Sequence, residues 1–283
     1  MNNKDLTSKA LNTWCPGCGN FAILNAIKQV LKSLIDEGLP YEQIVLVSGI
    51  GCHGKIVDYI NVNSFNSLHG RAIPAAEGIK LGNPKLKVIA FAGDGDAYGE
   101  GLEHLIFAAK RNFDITTIIH NNRVYGLTTG QFSPTSPIGY KGKSTPYGSI
   151  ENPLNPLELL LSSGATFVAR AASHGIALLK TVLKEALFHK GFSLVDVLQV
   201  CVIFCNMYDY YSQRVYELEK HDASNYSSAF QKIREWDYNK DSKIPLGVFY
   251  KKEVCTFDSY YSQFDNVKID LEKEINKVLQ EMQ

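Results

Sequence analysis

The segment Leu86-Lys-Val-Ile-Ala-Phe-Ala92 is almost entirely apolar and runs straight into Gly93-Asp94-Gly95. A strand of that composition is buried on both faces, as happens when helices cover both sides of a parallel sheet. Gly93 ends it, and the missing β-carbon lets the backbone approach a phosphate group closely. A helix is expected from Gly99 to Asn112, and its amino-terminal dipole favours an anion there. A second strand, Asp114 to His120, then delivers Asn121-Asn122. This spacing lets Asp94 and Asn122 grip one magnesium ion from neighbouring strands, and the ion would hold a diphosphate against the glycine backbone. Magnesium prefers oxygen ligands, and a carboxylate, an amide oxygen, a backbone carbonyl and phosphate oxygens satisfy it. A lone Gly-Asp-Gly is weak, since many such triplets are plain turns. The ordered series of strand, Gly-Asp-Gly, helix, strand and Asn-Asn is far more specific.

Apolar strands alternate with helical segments along the chain, which predicts an α/β fold with a mostly parallel sheet flanked by helices. Strands are expected near 44–48, 87–93, 115–121, 166–169 and 194–200. Helices are expected near 18–36, 73–82, 99–112, 155–163 and 174–190. Ligands of such sheets gather at the carboxyl ends of the strands. Cys52, Asp94, Asn122 and Cys201 all fall just past strand ends. Residues 123 to 152 form a long loop rich in Gly, Pro, Ser, Thr and Tyr, and a loop of that length is more often functional than idle. From about Asn206 the pattern turns polar and tyrosine-rich. We therefore expect a ligand-binding domain over residues 1–205 and an extension over 206–283 that packs on the domain or on a partner subunit. Arg214 to Lys220 and Leu271 to Met282 read as solvated amphipathic helices, and Trp236 as a core or interface residue.

Six cysteines supply the second constellation: Cys15, Cys18, Cys52, Cys201, Cys205 and Cys255. Cys15-Pro16-Gly17-Cys18 opens an apolar-periodic helix, Cys52 follows the buried-type strand Ile44-Val-Leu-Val47, and Cys201 follows the strand Ser193 to Val200. Three element ends can thus bring four thiolates together, as a cubane iron–sulfur cluster requires. Soft thiolates without histidine favour zinc or iron–sulfur over magnesium or calcium. A structural zinc site usually shows two CxxC pairs, and only one is present. A redox dithiol would follow a thioredoxin-like strand, which is missing here. Cys205 and Cys255 read as small buried hydrophobes. Spacing alone does not separate iron–sulfur from zinc.

The metal-binding series resembles that of the thiamine-diphosphate enzymes. By that resemblance Asp94 and the Asn122 side chain bind Mg2+, with the Val124 carbonyl as third protein ligand. Both constellations together resemble the β subunit of the 2-oxoacid:ferredoxin oxidoreductases, the pyruvate and 2-oxoglutarate synthase group. The matching stretches are Trp14-Cys-Pro-Gly-Cys-Gly19, Gly49-Ile-Gly-Cys52, Leu68-His-Gly-Arg71, Gly93-Asp-Gly-Asp96, Asn121-Asn-Arg-Val-Tyr-Gly-Leu-Thr128 and Gly130-Gln-Phe-Ser-Pro-Thr135. Together with Cys201 they span residues 14 to about 205, and several stand in the family's order and approximate spacing. The resemblance implies that Cys15, Cys18, Cys52 and Cys201 hold one [4Fe-4S] cluster. Cys205 is a rival fourth ligand, although Cys201 matches the family position better. Thr129 departs from the glycine or lysine of relatives, which leaves the substrate open.

The resemblance further implies oxidative decarboxylation of a 2-oxoacid, pyruvate or 2-oxoglutarate, with coenzyme A. The products would be acyl-CoA and CO2, with electrons passing through the cluster to ferredoxin. A non-oxidative thiamine-diphosphate decarboxylase or synthase subunit with structural cysteines is the alternative. Cofactor contacts are expected from Ile50, Gly51, His69, Gly93, Asp94, Gly95, Asp96, Asn122, Tyr125, Gly126, Leu127 and Thr128. Asp96 can instead cap the following helix. Lys55 and Arg71 are candidates for substrate contact, against the plainer reading of solvated loop cations. His53 reads as a donor beside the cysteine site and His104 as a packed residue. Thiamine diphosphate is activated by a glutamate, yet neither Glu77, Glu100 nor Glu103 has a context that compels the role. In the family it comes from a separate α subunit, so the chain is expected to be inactive alone and to work as an αβ heterodimer or (αβ)₂ heterotetramer.

Net charge is zero, with 29 basic and 29 acidic residues, which points away from nucleic acid and anionic membranes. No run of eighteen apolar residues marks a membrane span, and Met1 to Asp5 lacks a secretory pattern. A free CxxC fits a reducing cytoplasm.

Overall fold

The computed structural model describes residues 6–261 and 271–281. Met1 to Asp5 and Met282, which carried sequence expectations, lie outside the described residues. Among the described residues ten strands are present: β1 (Ile44–Ser48), β2 (Asn63–Asn66), β3 (Lys87–Gly93), β4 (Ile115–Asn121), β5 (Val124–Tyr125), β6 (Gln131–Phe132), β7 (Phe167–Ala172), β8 (Ser193–Leu198), β9 (Val215–Glu217) and β10 (Ile244–Lys251). The helices are α1 (Asn20–Asp36), α2 (Ala72–Gly82), α3 (Leu102–Arg111), α4 (Pro156–Ser162), α5 (Ile176–Phe188), α6 (Tyr208–Arg214), α7 (Tyr226–Ile233) and α8 (Leu271–Glu281).

Eight strands form one sheet in the order β2-β1-β3-β4-β8-β7-β10-β9, in which only the β7–β10 pair is antiparallel. The mostly parallel sheet expected from the sequence is therefore present. Its central strands are buried on both faces because their two sides feed two apolar layers. Ile44 and Leu46 of β1, Ile89 and Phe91 of β3, and Val195 and Val197 of β8 pack with α1 and α5. Val45 and Val47, then Val88, Ala90 and Ala92, pack on the other side with α2, α3, α4 and α7. Asn155 caps α4, its side chain accepting from the Glu158 N–H at 3.2 Å, and Pro156 sits where a missing N–H costs nothing.

Two regions differ from the sequence reading. The helix expected at Gly99 is preceded by a π-helical turn, Gly95–Glu100, and α3 itself starts at Leu102. Such turns often occur at functional sites, and this one directly follows Asp94. Arg214 to Lys220 is not a helix: α6 ends at Arg214 and Val215–Glu217 pairs in parallel with Ile244–Leu246. Val215 and Tyr216 suit a pleated edge, and the nearby β10 supplies the partner that local helical spacing could not reveal. Trp236 and Tyr238 lie in the core. Helix α8 is exposed along its described side chains. Among the described residues no helix is long and apolar enough to cross a membrane.

Candidate active site

Chain order reverses across the sheet between β1 and β3, because β2 lies on one side of β1 and β3 on the other. Ligands of parallel sheets bind at such a crevice, beyond the carboxyl ends of the strands. A cavity of about 60 Å³ opens there. Its walls come from Ile50, Gly51, Cys52 and His53 after β1, His69 after β2, Gly93 to Asp96 after β3, and Asn122 and Val124 to Thr128 after β4. All twelve residues expected to contact the cofactor line this one space.

Asp94 is buried and has no ion-pair partner among the described residues. Burial pushes its carboxyl up to about 6, against the opposing hydrogen bonds of Ser133 and Thr135. A buried carboxylate without a cation is the kind of group a metal ion would discharge. Asn122 Oδ1 accepts from the Val124 N–H at 3.0 Å and keeps a second lone pair for a metal. Between them Arg123 adopts φ +60°, a left-handed conformation rare outside glycine. Its buried guanidinium turns into the protein, donating to the carbonyl oxygens of Thr135 and Tyr238 at 2.6 Å each. The kink lets Asn122 and Val124 face the same cavity.

Glycine serves a purpose here beyond room for phosphate. A β-carbon on Gly93 would meet the His53 ring at 2.8 Å, and one on Gly95 would meet the Tyr125 ring at 2.3 Å. Asp96 does not cap the following helix. Its Oδ1 accepts from the backbone N–H of Gly70 at 2.7 Å and of Ile50 at 3.4 Å, and Oδ2 stands 3.2 Å from His53 Nε2. One carboxylate thus braces the ends of β1 and β3 and the loop before α2. His69 stacks on Tyr125 with ring centres 6.1 Å apart.

A second cavity, about 260 Å³, is lined by Cys15, Cys18, Cys52 and Cys201 together. The remainder of its wall includes Trp14, Lys55, Thr129, Gln199 and Phe204. Burial, with like-charge neighbours, pushes the Cys18 thiol up to about 11 and raises Cys52. A cationic metal would have to displace those protons. Cys205 is bridged to Cys201 across a tight turn, but it faces inward and lines neither cavity. Among the described residues no three His, Cys, Asp or Glu donors converge closely enough for a single metal ion.

The two cavities share a wall made of Cys52, Asn122, Gly126 and Leu127. A methyl placed on Gly126 would stand 3.6 Å from Asn122 Nδ2, 3.7 Å from Cys52 Sγ and 3.9 Å from Cys201 Sγ. Lys55 lies in the cysteine cavity, donating to Thr13 Oγ1 at 2.6 Å, and not beside Asp94. Arg71 lines neither cavity and donates to the carbonyl oxygens of Gly70 and Glu100. Glu77, Glu100 and Glu103 likewise stand outside both. His104, half-buried on α3, lies 3.6 Å from Glu103.

Several site residues carried no individual signal in the sequence. Ser133 and Thr135 hydrogen-bond to Asp94, and Tyr140 Oη reaches the carbonyl oxygens of Gly130 at 3.2 Å and Phe204 at 3.3 Å. His120, whose ring burial pushes well below its usual range, stands with Nδ1 2.8 Å from Asn20 Oδ1. The stretch Gly130 to Thr135 was the one available pointer to Ser133 and Thr135.

The fold and the first cavity define a thiamine-binding class: residues 49–197 match the family model of the thiamine pyrophosphate enzyme C-terminal TPP-binding domain. Residues 201–266 match the C-terminal region of the pyruvate ferredoxin oxidoreductase β subunit. A 2-oxoacid:ferredoxin oxidoreductase subunit β from Saccharolobus solfataricus is 44% identical over 261 residues, covering 87% of this chain and 83% of that one. The 2-oxoglutarate oxidoreductase subunit KorB of Mycobacterium tuberculosis is 47% identical over 201 residues, 71% of this chain and 53% of its own. Among solved structures, a 2-oxoglutarate:ferredoxin oxidoreductase from Magnetococcus marinus superposes with a TM-score of 0.88 at 34% identity. That match covers 98% of this chain and 96% of the other, which was solved with 2-oxoglutarate, coenzyme A and succinyl-CoA bound. The chain belongs to the β subunits of the 2-oxoacid:ferredoxin oxidoreductases, an oxidoreductase family.

Proposed function

We propose that this chain is the β subunit of an αβ enzyme that converts a 2-oxoacid, pyruvate or 2-oxoglutarate, and coenzyme A to acyl-CoA and CO2. Electrons leave through a [4Fe-4S] cluster to ferredoxin. The observation that carries the proposal is the shared wall: Gly126 stands within reach of both the Asn122 amide and the Cys52 and Cys201 sulfurs. Electron transfer between neighbouring groups needs such proximity, whereas a non-oxidative enzyme with structural cysteines has no use for it.

Asp94, Asn122 and the Val124 carbonyl would hold Mg2+, and the surrounding lining residues of the first cavity would hold thiamine diphosphate. Cys15, Cys18, Cys52 and Cys201 would hold the cluster. Four thiolates lining one cavity, with a single CxxC pair among them, suit an iron–sulfur cage better than a structural zinc site. Bound there, thiamine diphosphate would supply the centre that decarboxylates a 2-oxoacid, and the cluster would accept electrons singly. The backbone of Gly126 to Thr128, in the first cavity, would line thiamine diphosphate and keep water from the reacting carbon, whereas Lys55, in the cysteine cavity, is not placed to hold a substrate carboxylate there. Glutamate lines neither cavity among the described residues, which supports an activating glutamate from the α subunit. Free thiols of this kind suit a reducing cytoplasm.

The test is anaerobic co-purification with the α subunit. Dithionite-reduced protein is expected to give a cubane electron paramagnetic resonance signal, and a separate, dithionite-free sample to reduce methyl viologen only with a 2-oxoacid and coenzyme A. Iron-free protein that still forms acyl-CoA and reduces methyl viologen would overturn the redox assignment. Full turnover by the β chain alone would overturn the αβ assembly.

A further inference from the structure

We propose that Ser133 and Thr135 select the cation of this site by fixing Asp94 as a one-oxygen ligand, a reading that rests on the magnesium site proposed above. Ser133 Oγ donates to Asp94 Oδ2 at 2.5 Å, and Thr135 Oγ1 lies 2.9 Å from the same oxygen. Both side chains are buried. No other side chain among the described residues hydrogen-bonds to this carboxylate, so the two hydroxyls occupy the lone pairs of Oδ2 and leave Oδ1 to a metal. Magnesium accepts single oxygens in a strict octahedron, whereas calcium takes more ligands and readily uses both oxygens of one carboxylate. Blocking Oδ2 removes the two-oxygen mode and with it much of what calcium would gain.

The turn that carries both hydroxyls is held from behind. The Ser133 N–H donates to Ser136 Oγ at 2.8 Å, and Ser136 Oγ donates to the Arg123 carbonyl oxygen at 2.6 Å. Arg123 Nε returns a bond to the Thr135 carbonyl oxygen, closing the turn. Thr135 Oγ1 also stands 2.9 Å from Asn121 Oδ1, but it has one proton, and a charged carboxylate is the stronger acceptor. Asn121 is itself fixed through Nδ2 on Asp196 Oδ1 at 3.0 Å. Ser133 and Thr135 are therefore positioning residues, acting through Asp94.

The experiment uses the full chain with its α subunit, stripped of metal and saturated with thiamine diphosphate. Calorimetric titration gives Mg2+ and Ca2+ affinities for the wild type, S133A, T135V and the hydroxyl-keeping T135S. Mg2+ affinity is expected to fall about 10- to 100-fold in S133A and T135V, as for other groups that orient metal ligands. Ca2+ affinity should hold or rise, because the freed Oδ2 restores the two-oxygen mode, so discrimination between the cations collapses, and T135S should retain it. Equal losses for both cations, or unchanged discrimination in S133A and T135V alike, would overturn the proposal. Wild-type protein that binds neither cation with thiamine diphosphate present would instead remove the magnesium site, and this inference with it.

Discussion

The indole N–H of Trp14 donates to the carbonyl oxygen of Cys52 at 2.6 Å. Trp14 immediately precedes the CxxC, and Cys52 lies at the end of the β1 loop, so one bond ties together two of the segments that carry the thiols. The indole is further wedged edge-on between Phe21 and Tyr59.

Trp14→Phe keeps an aromatic ring in that wedge and deletes the donor. The lost bond is worth about 1 kcal/mol, enough for a several-fold faster loss of iron from the proposed cluster. Visible absorbance followed after controlled exposure to air checks this. A variant that holds its iron as long as the wild type would show that the bond is incidental.

Cys201 and Cys205 offer the sharpest test of the thiol assignment, because they are bridged across one turn yet face different surroundings. Cys201 shares a cavity with Cys15, Cys18 and Cys52, whereas Cys205 is buried, with its thiol pushed up to about 11 by desolvation. Cys201→Ser is expected to lose most of the iron of the proposed cluster, and Cys205→Ser to retain it and its paramagnetic signal. The reverse pattern would exchange the two roles.

The parts legible in the sequence are those written by local pattern. The apolar runs through Leu86 and Ile44 marked strands buried on both faces, and Asp94, Asn122 and the four cysteines fall at strand or helix ends as expected. What stayed hidden depends on partners distant in sequence. Val215 to Glu217 becomes a strand only because Ile244 to Leu246 lies alongside it. Asp96 looked like a cap because local spacing cannot show that the N–H groups of Gly70 and Ile50 converge on it. Ser133 and Thr135 sit in a loop with no periodicity, and their meeting with Asp94 is purely tertiary.

Asp196 anchors the far side of that meeting. It is fully buried on β8, and it accepts from Asn121 Nδ2 and from the hydroxyls of Tyr98 and Tyr238. Tyr238→Phe removes one donor to a buried carboxylate and should cost about 2 kcal/mol of stability. A shift in the denaturation midpoint with unchanged slope checks this. No shift would mean that Tyr98 and Asn121 satisfy Asp196 without help.

His189 makes stability depend on pH in a predictable direction. Its Nε2 stands 2.9 Å from Thr166 Oγ1, and burial pushes its ring down to about 4, from an ordinary value of 6.5. Lys251 and Lys87 push in the same direction, while Asp114 and Glu253 oppose them. The unfolded chain therefore takes up a proton near pH 6.5 and the folded chain only near pH 4. Between those values the unfolded state binds more protons, so stability falls as the pH falls. The contribution is fully present above about pH 6.5 and drains away toward pH 4. His189→Gln keeps a hydrogen-bonding side chain at Thr166 but cannot titrate. Thermal midpoints compared from pH 7 down to pH 5 should fall more steeply for the wild type than for the variant. Parallel curves would assign the acid sensitivity to other groups.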